Sequence, residues 1–326
     1  MKTKILKLLK QSDAYLSGEE LSQQFGVSRT AIWKYINQLR EEGYEIESVT
    51  RKGYRLVQAA DAITASEILS MNHAAWVGQE IEYYDVTDST NTRIRLFAEA
   101  GRKQGLLAVA EEQTGGRGRR GRNWVSPPGT GIWMSLLLRP ELEPQQASMI
   151  TLVAALALAK AIEKDNQVKA QIKWPNDIVI NGKKVCGILT EMSAEMEGIH
   201  YIIVGIGINA NTEDFPDEIV DIATSIGKEC GQKIHRAALI AEFCQQFEKC
   251  YEAFLKCQDL TLIKDEYEKY LINTGKEVKI IKNKEEKIRT AVGINKLGEL
   301  LVKKADGTME NVLSGEVSVR GLYGYV

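Results

Sequence analysis

A chain of 326 residues is longer than one hydrophobic core usually fills, so two or three domains are expected. Its 44% hydrophobic and 26% charged residues are those of a soluble globular protein, and no apolar run approaches the roughly 20 residues that cross a bilayer, which excludes a fibrous or membrane-embedded class. The net charge of −2 hides an asymmetry: residues 1–60 carry ten Lys/Arg against seven Asp/Glu, a mildly basic head on an acidic body.

The N-terminus, MKTKILKLLKQ, scatters its charges instead of placing a basic segment before an apolar block. No export is expected from that pattern, and the protein is assigned to the cytoplasm. In the head, Ile5, Leu8 and Leu9 recur at helical spacing, and a second helix starts at Ser17, with Glu20 three residues on to complete a capping box. Leu21 and Phe25 form one apolar face, Gly26 permits a sharp turn, and Ser28 caps a third helix that turns Val27, Ile32, Ile36 and Leu39 inward. This is helix-turn-helix spacing. Arg29, Thr30, Trp33, Lys34 and Asn37 are left outward, offering cations, donors and a methyl to a major groove, although Trp33 fits a half-buried core position equally well. YEIESVTRKGYRLV then reads as two short strands around a basic tip, Arg51-Lys52-Gly53, which is a wing able to touch phosphate. DNA binding is the reading this supports; a three-helix module that only packs on a partner protein is the alternative.

In the body, QEIEYYDVTDST is a strand followed by a helix start at Asp88, Ser89 or Thr90, the helix running through RIRLFAEA to Gly101. Two more strands, GLLAVAEEQ and IWMSLLL, bracket the loop TGGRGRRGRNWVSPPGTG. Glycines there let backbone N–H groups approach a ligand, and guanidinium forks bind carboxylate or phosphate oxygens in pairs, so a small anion suits the loop. A disordered Arg-Gly tail for RNA is long and low in complexity, and a phosphate loop of the GxxxxGK[ST] kind needs a strand-loop-helix order that is absent. MITLVAALALA, residues 149–159, is a buried helix. Asn181-Gly182 between two aliphatic runs is a two-residue hairpin turn, and period-two alternation beyond it puts Lys184, Cys186 and Ile188 on one face. HRAALIAEFCQQFEKCYEAFL is a long packing helix, and from Gly275 short strands broken by Asn, Gly and Asp describe a small β-barrel. The cysteines, Cys186, Cys230, Cys244, Cys250 and Cys257, lack CxxC spacing and a nearby histidine, so neither a disulfide framework nor a zinc site is expected.

Taken together, GRGRRGRNW, KWPND followed by KKVCGIL, DSTN at 88–91 and GIGIN at 205–209 resemble the biotin protein ligases of the bifunctional kind, which also repress a biotin operon. The resemblance covers essentially the whole chain, in the family's motif order. It implies an α+β protein with three parts: a winged helix-turn-helix over 1–60, a mixed-sheet catalytic domain over 61–272 related to class II aminoacyl-tRNA synthetases and lipoate ligases, and an SH3-like barrel over 273–326. Matched motif by motif, biotin and biotinyl-5′-AMP fall on Ser89, Thr90, Asn91, Gln113, Arg117, Gly118, Arg119 and Lys184, with Arg119 and Lys184 catalytic. Arg122, Trp124, Lys173, Asn176 and Asn209 fall near ATP, and Asp177 near its Mg2+. Arg320 and Glu316 either reach the active site, as the resemblance implies, or are ordinary surface charges. Cys186 stands where the family commonly has a small residue, but adenylate chemistry needs no thiol. The implied partners are a biotin acceptor domain of acetyl-CoA carboxylase or pyruvate carboxylase, operator DNA, and a second copy of the chain when the adenylate is bound, with that adenylate as corepressor. A lipoate ligase has no reason to carry a winged helix, and a purely ligand-sensing repressor leaves the adenylate motifs without a use.

Overall fold

The computed structural model describes residues 1–58, 61–195, 198–282, 285–314, 318–321 and 325–326. The head consists of α1 (Lys2–Gln11), α2 (Gly18–Phe25), α3 (Arg29–Glu41) and the antiparallel pair β1 (Glu45–Val49) and β2 (Gly53–Gln58). Its caps are the ones the residues specify. Ser17 and Glu20 form a reciprocal capping box, Ser28 accepts from the Ala31 N–H, and Gly26 ends α2 at φ 63°. Ile5, Leu6, Leu9, Leu21, Ile32, Ile36, Leu39, Tyr44 and Ile46 form a core separate from that of the body.

After α4 (Ala65–Met71) the body runs β3 (Glu80–Thr87), α5 (Thr90–Glu99), β4 (Leu106–Gln113), β5 (Ile132–Leu138), α6 (Ala147–Asn166), β6 (Gln171–Lys173), β7 (Asp177–Ile180), β8 (Lys183–Glu195), β9 (Gly198–Ile208), α7 (Ile226–Cys230), α8 (Arg236–Cys257) and α9 (Lys264–Tyr270). Among the described residues these strands form a seven-stranded sheet in the order β3-β4-β5-β9-β8-β7-β6, in which β3 runs parallel to β4 and every other pair is antiparallel. The helix around 149–159 is longer than its apolar run indicates, and by length and composition alone it could cross a membrane; instead it is apolar nearly all round because it is buried between the sheet and α8. Ile94 and Ala98 of α5 pack on Leu106, Leu137 and Ile203 in a separate cluster.

The C-terminal part, β10 (Glu277–Lys282), β11 (Glu285–Ile294), β12 (Leu300–Lys303), β13 (Met309–Val312) and β14 (Ser318–Gly321), is antiparallel throughout, in the order β13-β12-β11-β10-β14. Its apolar interior, with Val278, Ala291, Leu300 and Val302, is continuous with the core of the body. Trp174 rivets the two parts: its buried indole donates to the Gly298 carbonyl at 3.0 Å, and its backbone N–H donates to Asn273 Oδ1 at 2.9 Å.

Head and body meet at a carboxylate. Glu67, 0% exposed on α4, accepts from the Lys10 ammonium and the Tyr44 hydroxyl of the head, and His235 Nε2 at the start of α8 lies 3.5 Å away. Burial and the bond to Glu67 push the Tyr44 phenol far up, so it remains a donor. Removing the carboxylate leaves a buried hydroxyl without an acceptor, at a cost of about 2 kcal/mol. Because the head has its own core, Glu67→Ala is expected to move the head's unfolding to lower urea and leave the body's transition in place; a shift of the body alone would show that the contact does not anchor the head.

Candidate active site and its family

The floor of the site is bare backbone. A Cβ at Gly205 would lie 2.2 Å from Asn91 Oδ1, and one at Gly207 would lie 2.6 Å from Trp124 Nε1, so glycine at both positions admits two side chains from distant segments to the surface of β9. Asn91 is held from two sides: the Ser135 hydroxyl donates to its Oδ1 at 2.6 Å, and its Nδ2 donates to Glu191 at 2.7 Å. Thr90 donates its N–H to Gln113 Oε1 at 2.9 Å, while Gln113 Nε2 donates to Ser126 at 3.0 Å. Ser89 and Thr90 open α5 as the motif specifies, though Ser89 makes no side-chain cap.

The arginine loop is folded on itself over this floor. Gln113 N–H to Ser126 O at 3.1 Å, Trp124 N–H to Gly116 O at 3.0 Å and Gly118 N–H to Arg122 O at 2.7 Å are rungs between its two limbs. A left-handed Arg120 (φ 59°) followed by Gly121 (φ 71°) turns the tip. Arg119 points inward, donating to Asn176 Oδ1 at 2.8 Å and to the carbonyl of Ser314, two residues past β13 of the C-terminal part, at 2.6 Å. Arg117 and Arg122 remain on the exposed rim.

Opposite the loop, three groups gather around one carboxylate. Lys184 Nζ is 2.6 Å from Asp177 Oδ1 and 5.2 Å from the centre of the Trp124 ring; Tyr325 donates its hydroxyl to Asp177 Oδ2; and Lys173 Nζ lies 3.3 Å above the Tyr325 ring. The resulting cleft, about 900 Å³, is lined by every residue assigned to biotin, nucleotide or metal in the sequence, and also by Arg320. Glu316 lies outside the described residues.

At 41% identity, the chain aligns over 318 residues, 97% of each protein, with the bifunctional ligase/repressor BirA of Bacillus subtilis (strain 168). The chain belongs to the bifunctional biotin protein ligase family. The bifunctional ligase/repressor BirA of Escherichia coli (strain K12) is 32% identical over 97% of this ligase and 96% of its own length. Family models agree by segment: an HTH domain matches residues 2–55, the biotin/lipoate A/B protein ligase family residues 83–209, and the biotin protein ligase C-terminal domain residues 274–320. The structure of biotin protein ligase from Aquifex aeolicus in complex with biotin and ATP superposes with a TM-score of 0.66 at 31% identity, covering 74% of this ligase and 99% of that chain.

One expectation fails. A bulge in β8 opposite Ile178 and Val179 breaks the period-two alternation, so Val185 and Cys186 are both buried in the core while Lys184 turns into the cleft beside Gly187. Lys184 therefore does not share a face with Cys186 and Ile188. Burial pushes the Cys186 thiol far up, which leaves it inert. Other parts of the site escaped the sequence. Ser135 is the polar residue within a wholly buried strand and could have been noticed for that reason; Glu191 and Tyr325 carried no local signal.

On the head, Arg29, Thr30, Trp33 and Lys34 form an exposed stripe on α3, with Trp33 56% exposed, which settles it as surface and not core. Arg29 pairs with Glu19 at 2.5 Å. Arg51 and Lys52 are exposed at the wing tip, where Arg51 takes φ 67°.

Burial lowers the Lys173 ammonium to about 8 from the 10.5 of a free lysine, with Asp177 opposing and Lys184 adding to the shift. Below pH 8 the amine is protonated in the folded and unfolded ligase alike, and the folded state bears the full cost of the buried cation, about 3 kcal/mol. As the pH climbs from about 8 toward 10.5 the folded state releases its proton first and that cost fades. Lys173→Met should remove this rise, visible as a flatter difference in stability between pH 8 and 10.5; identical pH dependence in the two proteins would contradict the assignment.

Proposed function

We propose that the ligase activates biotin with ATP as biotinyl-5′-AMP, transfers the biotinyl group to a lysine of an acceptor domain, and represses transcription when the adenylate is bound. The observation that carries this reading is the convergence of Arg119, Lys173 and Lys184 on one cleft, between a glycine floor and a folded arginine loop. In the first step the biotin carboxylate attacks the α-phosphate and pyrophosphate leaves. In the second, an acceptor lysine amine attacks the carbonyl of the mixed anhydride and AMP leaves. Both steps build negative charge on oxygen, so the protein's task is positioning and fixed positive charge.

Ser89, Thr90, Asn91, Gln113, Arg117 and Gly118 are assigned to biotin, with their mutual hydrogen bonds holding them in place beforehand. Arg119 and Lys184 face the carboxylate and the developing phosphorane oxygens. The Trp124 indole N–H is buried without an acceptor among the described residues, which suits a donor awaiting a ligand. Arg122, Trp124, Lys173, Asn176 and Asn209 are assigned to the nucleotide; the Asn209 amide is already tied to the Thr224 carbonyl at 3.2 Å, leaving its oxygen for the ligand.

A resident metal centre does not fit, because no three His, Cys, Asp or Glu side chains cluster among the described residues. A Mg2+ carried in by ATP takes one or two carboxylates and keeps its waters, and Asp177 suits that role through Oδ2, which retains a lone pair beyond the Tyr325 contact, while Oδ1 already accepts from Lys184 and from Asn176 Nδ2 at 3.1 Å. When bound, the ion supplies charge to the leaving pyrophosphate. Folding of the loop over the cleft shields the anhydride from water.

The acceptor is assigned to the biotin domain of acetyl-CoA carboxylase or pyruvate carboxylase, and the site of action to the cytoplasm. Arg29, Thr30, Trp33, Lys34, Arg51 and Lys52 are assigned to operator DNA, and the adenylate-bound form to a homodimer with two half-sites related by a two-fold axis. Incubation with biotin, ATP and an acceptor domain is expected to raise the acceptor's mass by one biotinyl group, with lipoate and octanoate inert; a labelled acceptor with lipoate and none with biotin would reverse the substrate. Arg119→Gly should release free adenylate that modifies bystander lysines, and tight retention in that variant would refute the role of Arg119. Biotin plus ATP together should raise operator affinity roughly tenfold; DNA binding indifferent to both would remove the corepressor from the account.

A further inference from the structure

Lys173 and Asp177 are directly opposed on the antiparallel strands β6 and β7, the arrangement in which opposite charges ordinarily pair. They do not pair here. Asp177 gives one oxygen to Lys184 at 2.6 Å and to Asn176 Nδ2 at 3.1 Å, and the other to the Tyr325 hydroxyl, while Lys173, a residue only 6% exposed, rests its ammonium on the face of the Tyr325 ring. Among the described residues no carboxylate forms an ion pair with Lys173. A single side chain thus does two things at once: its hydroxyl occupies the oxygen that Lys173 would otherwise take, and its ring offers the ammonium a weak, easily exchanged partner.

We propose that Tyr325, reaching across from beyond β14, is a positioning residue for the adenylation half-reaction: it keeps Lys173 from being neutralised by Asp177, so that the lysine is held in reserve for the triphosphate. This rests on the ligase reading above. The chemistry follows from competition. A lysine locked to a carboxylate must break a charge-assisted bond before it meets a phosphate oxygen, whereas one lying on an aromatic face exchanges a modest attraction for a strong one. The same arrangement ties the C-terminal sheet into the reaction, since Tyr325 and the Ser314 carbonyl on Arg119 both reach the cleft from that side.

Tyr325→Phe separates the two functions, because it keeps the ring and deletes one oxygen. With Asp177 freed to turn toward Lys173, the KM for ATP measured by biotin-dependent pyrophosphate release should rise roughly tenfold, with kcat and the KM for biotin little changed. In a Lys173→Gln background, where there is no cation to protect, the same Tyr325→Phe change should have no effect on the KM for ATP. An equal effect in both backgrounds identifies a merely structural tyrosine, and an unchanged KM for ATP sinks the proposal outright. A KM that falls marks Tyr325 as a plug that the nucleotide must displace, which equally overturns it. If the unmodified protein itself releases no pyrophosphate from biotin and ATP, it is the ligase reading that has failed; if it does so and the variant is silent, only the role of Tyr325 has.

Discussion

The site depends on a patch of sheet that carries no side chains. At Gly205 and Gly207 the volume that a Cβ would need is filled by Asn91 and the Trp124 indole, arriving from α5 and from the arginine loop. An alanine at either position would push one of these groups off β9 by an amount that close-packed surroundings cannot absorb. Without that bare floor, the loop's Trp124 could not lie against the sheet, Lys184 would lose the indole beside it, and Asn91 could not reach both Ser135 and Glu191. The glycines of GIGIN are therefore chosen by what lands on them and not by their own backbone angles, since both lie outside the left-handed region.

Charge in the cleft is arranged by scarcity. Three basic groups face Asp177, so the field there is positive whichever of them the carboxylate satisfies. Elsewhere the protein neutralises buried cations fully: Arg236, 1% exposed, makes a two-pronged bond to Glu111 at 2.8 and 3.0 Å and also binds Asp61 at 3.2 Å. The contrast is instructive because burial is comparable. A buried guanidinium given two carboxylates is a structural tie, whereas a buried ammonium left with an aromatic ring is kept for something that arrives later.

Sequence reading succeeded where the determinant is local. The capping box at Ser17 and Glu20, the turn at Asn181-Gly182, the seven buried residues of IWMSLLL and the strand rhythm after Gly275 each express a short-range rule, and each element forms where that rule puts it. The residues named through the resemblance to the ligase family line one cleft, because motifs as far apart in the chain as DSTN at 88–91 and GIGIN at 205–209 converge on one floor. Failures came where an outcome is decided by pairing between strands. A bulge at Val185 is invisible in the residue types, since valine and cysteine suit either face, and only the register against β7 turns Lys184 into the cleft. Tyr325 lies 148 positions from the aspartate it binds, a separation over which no periodicity operates.

Packing also divides the chain unequally. The C-terminal sheet shares its apolar core with the catalytic body, so the two move as one unit to the extent that a continuous, tightly packed core resists shear. The head has a core of its own, and where α1 packs on α4 the Lys10 ammonium and the Tyr44 hydroxyl meet Glu67, with α4 packed in turn against α8. Hydrogen bonds of this kind depend on distance and angle far more steeply than apolar contact does. Asp61, just ahead of α4, is bonded to Arg236, and Arg236 to Glu111 on the strand that ends at Gln113. The segment leading into α4 is thus tied to the start of α8 at two points, Asp61 to Arg236 and Glu67 to His235, while Ile63 and Ile68 beside them sit in the apolar core of the body.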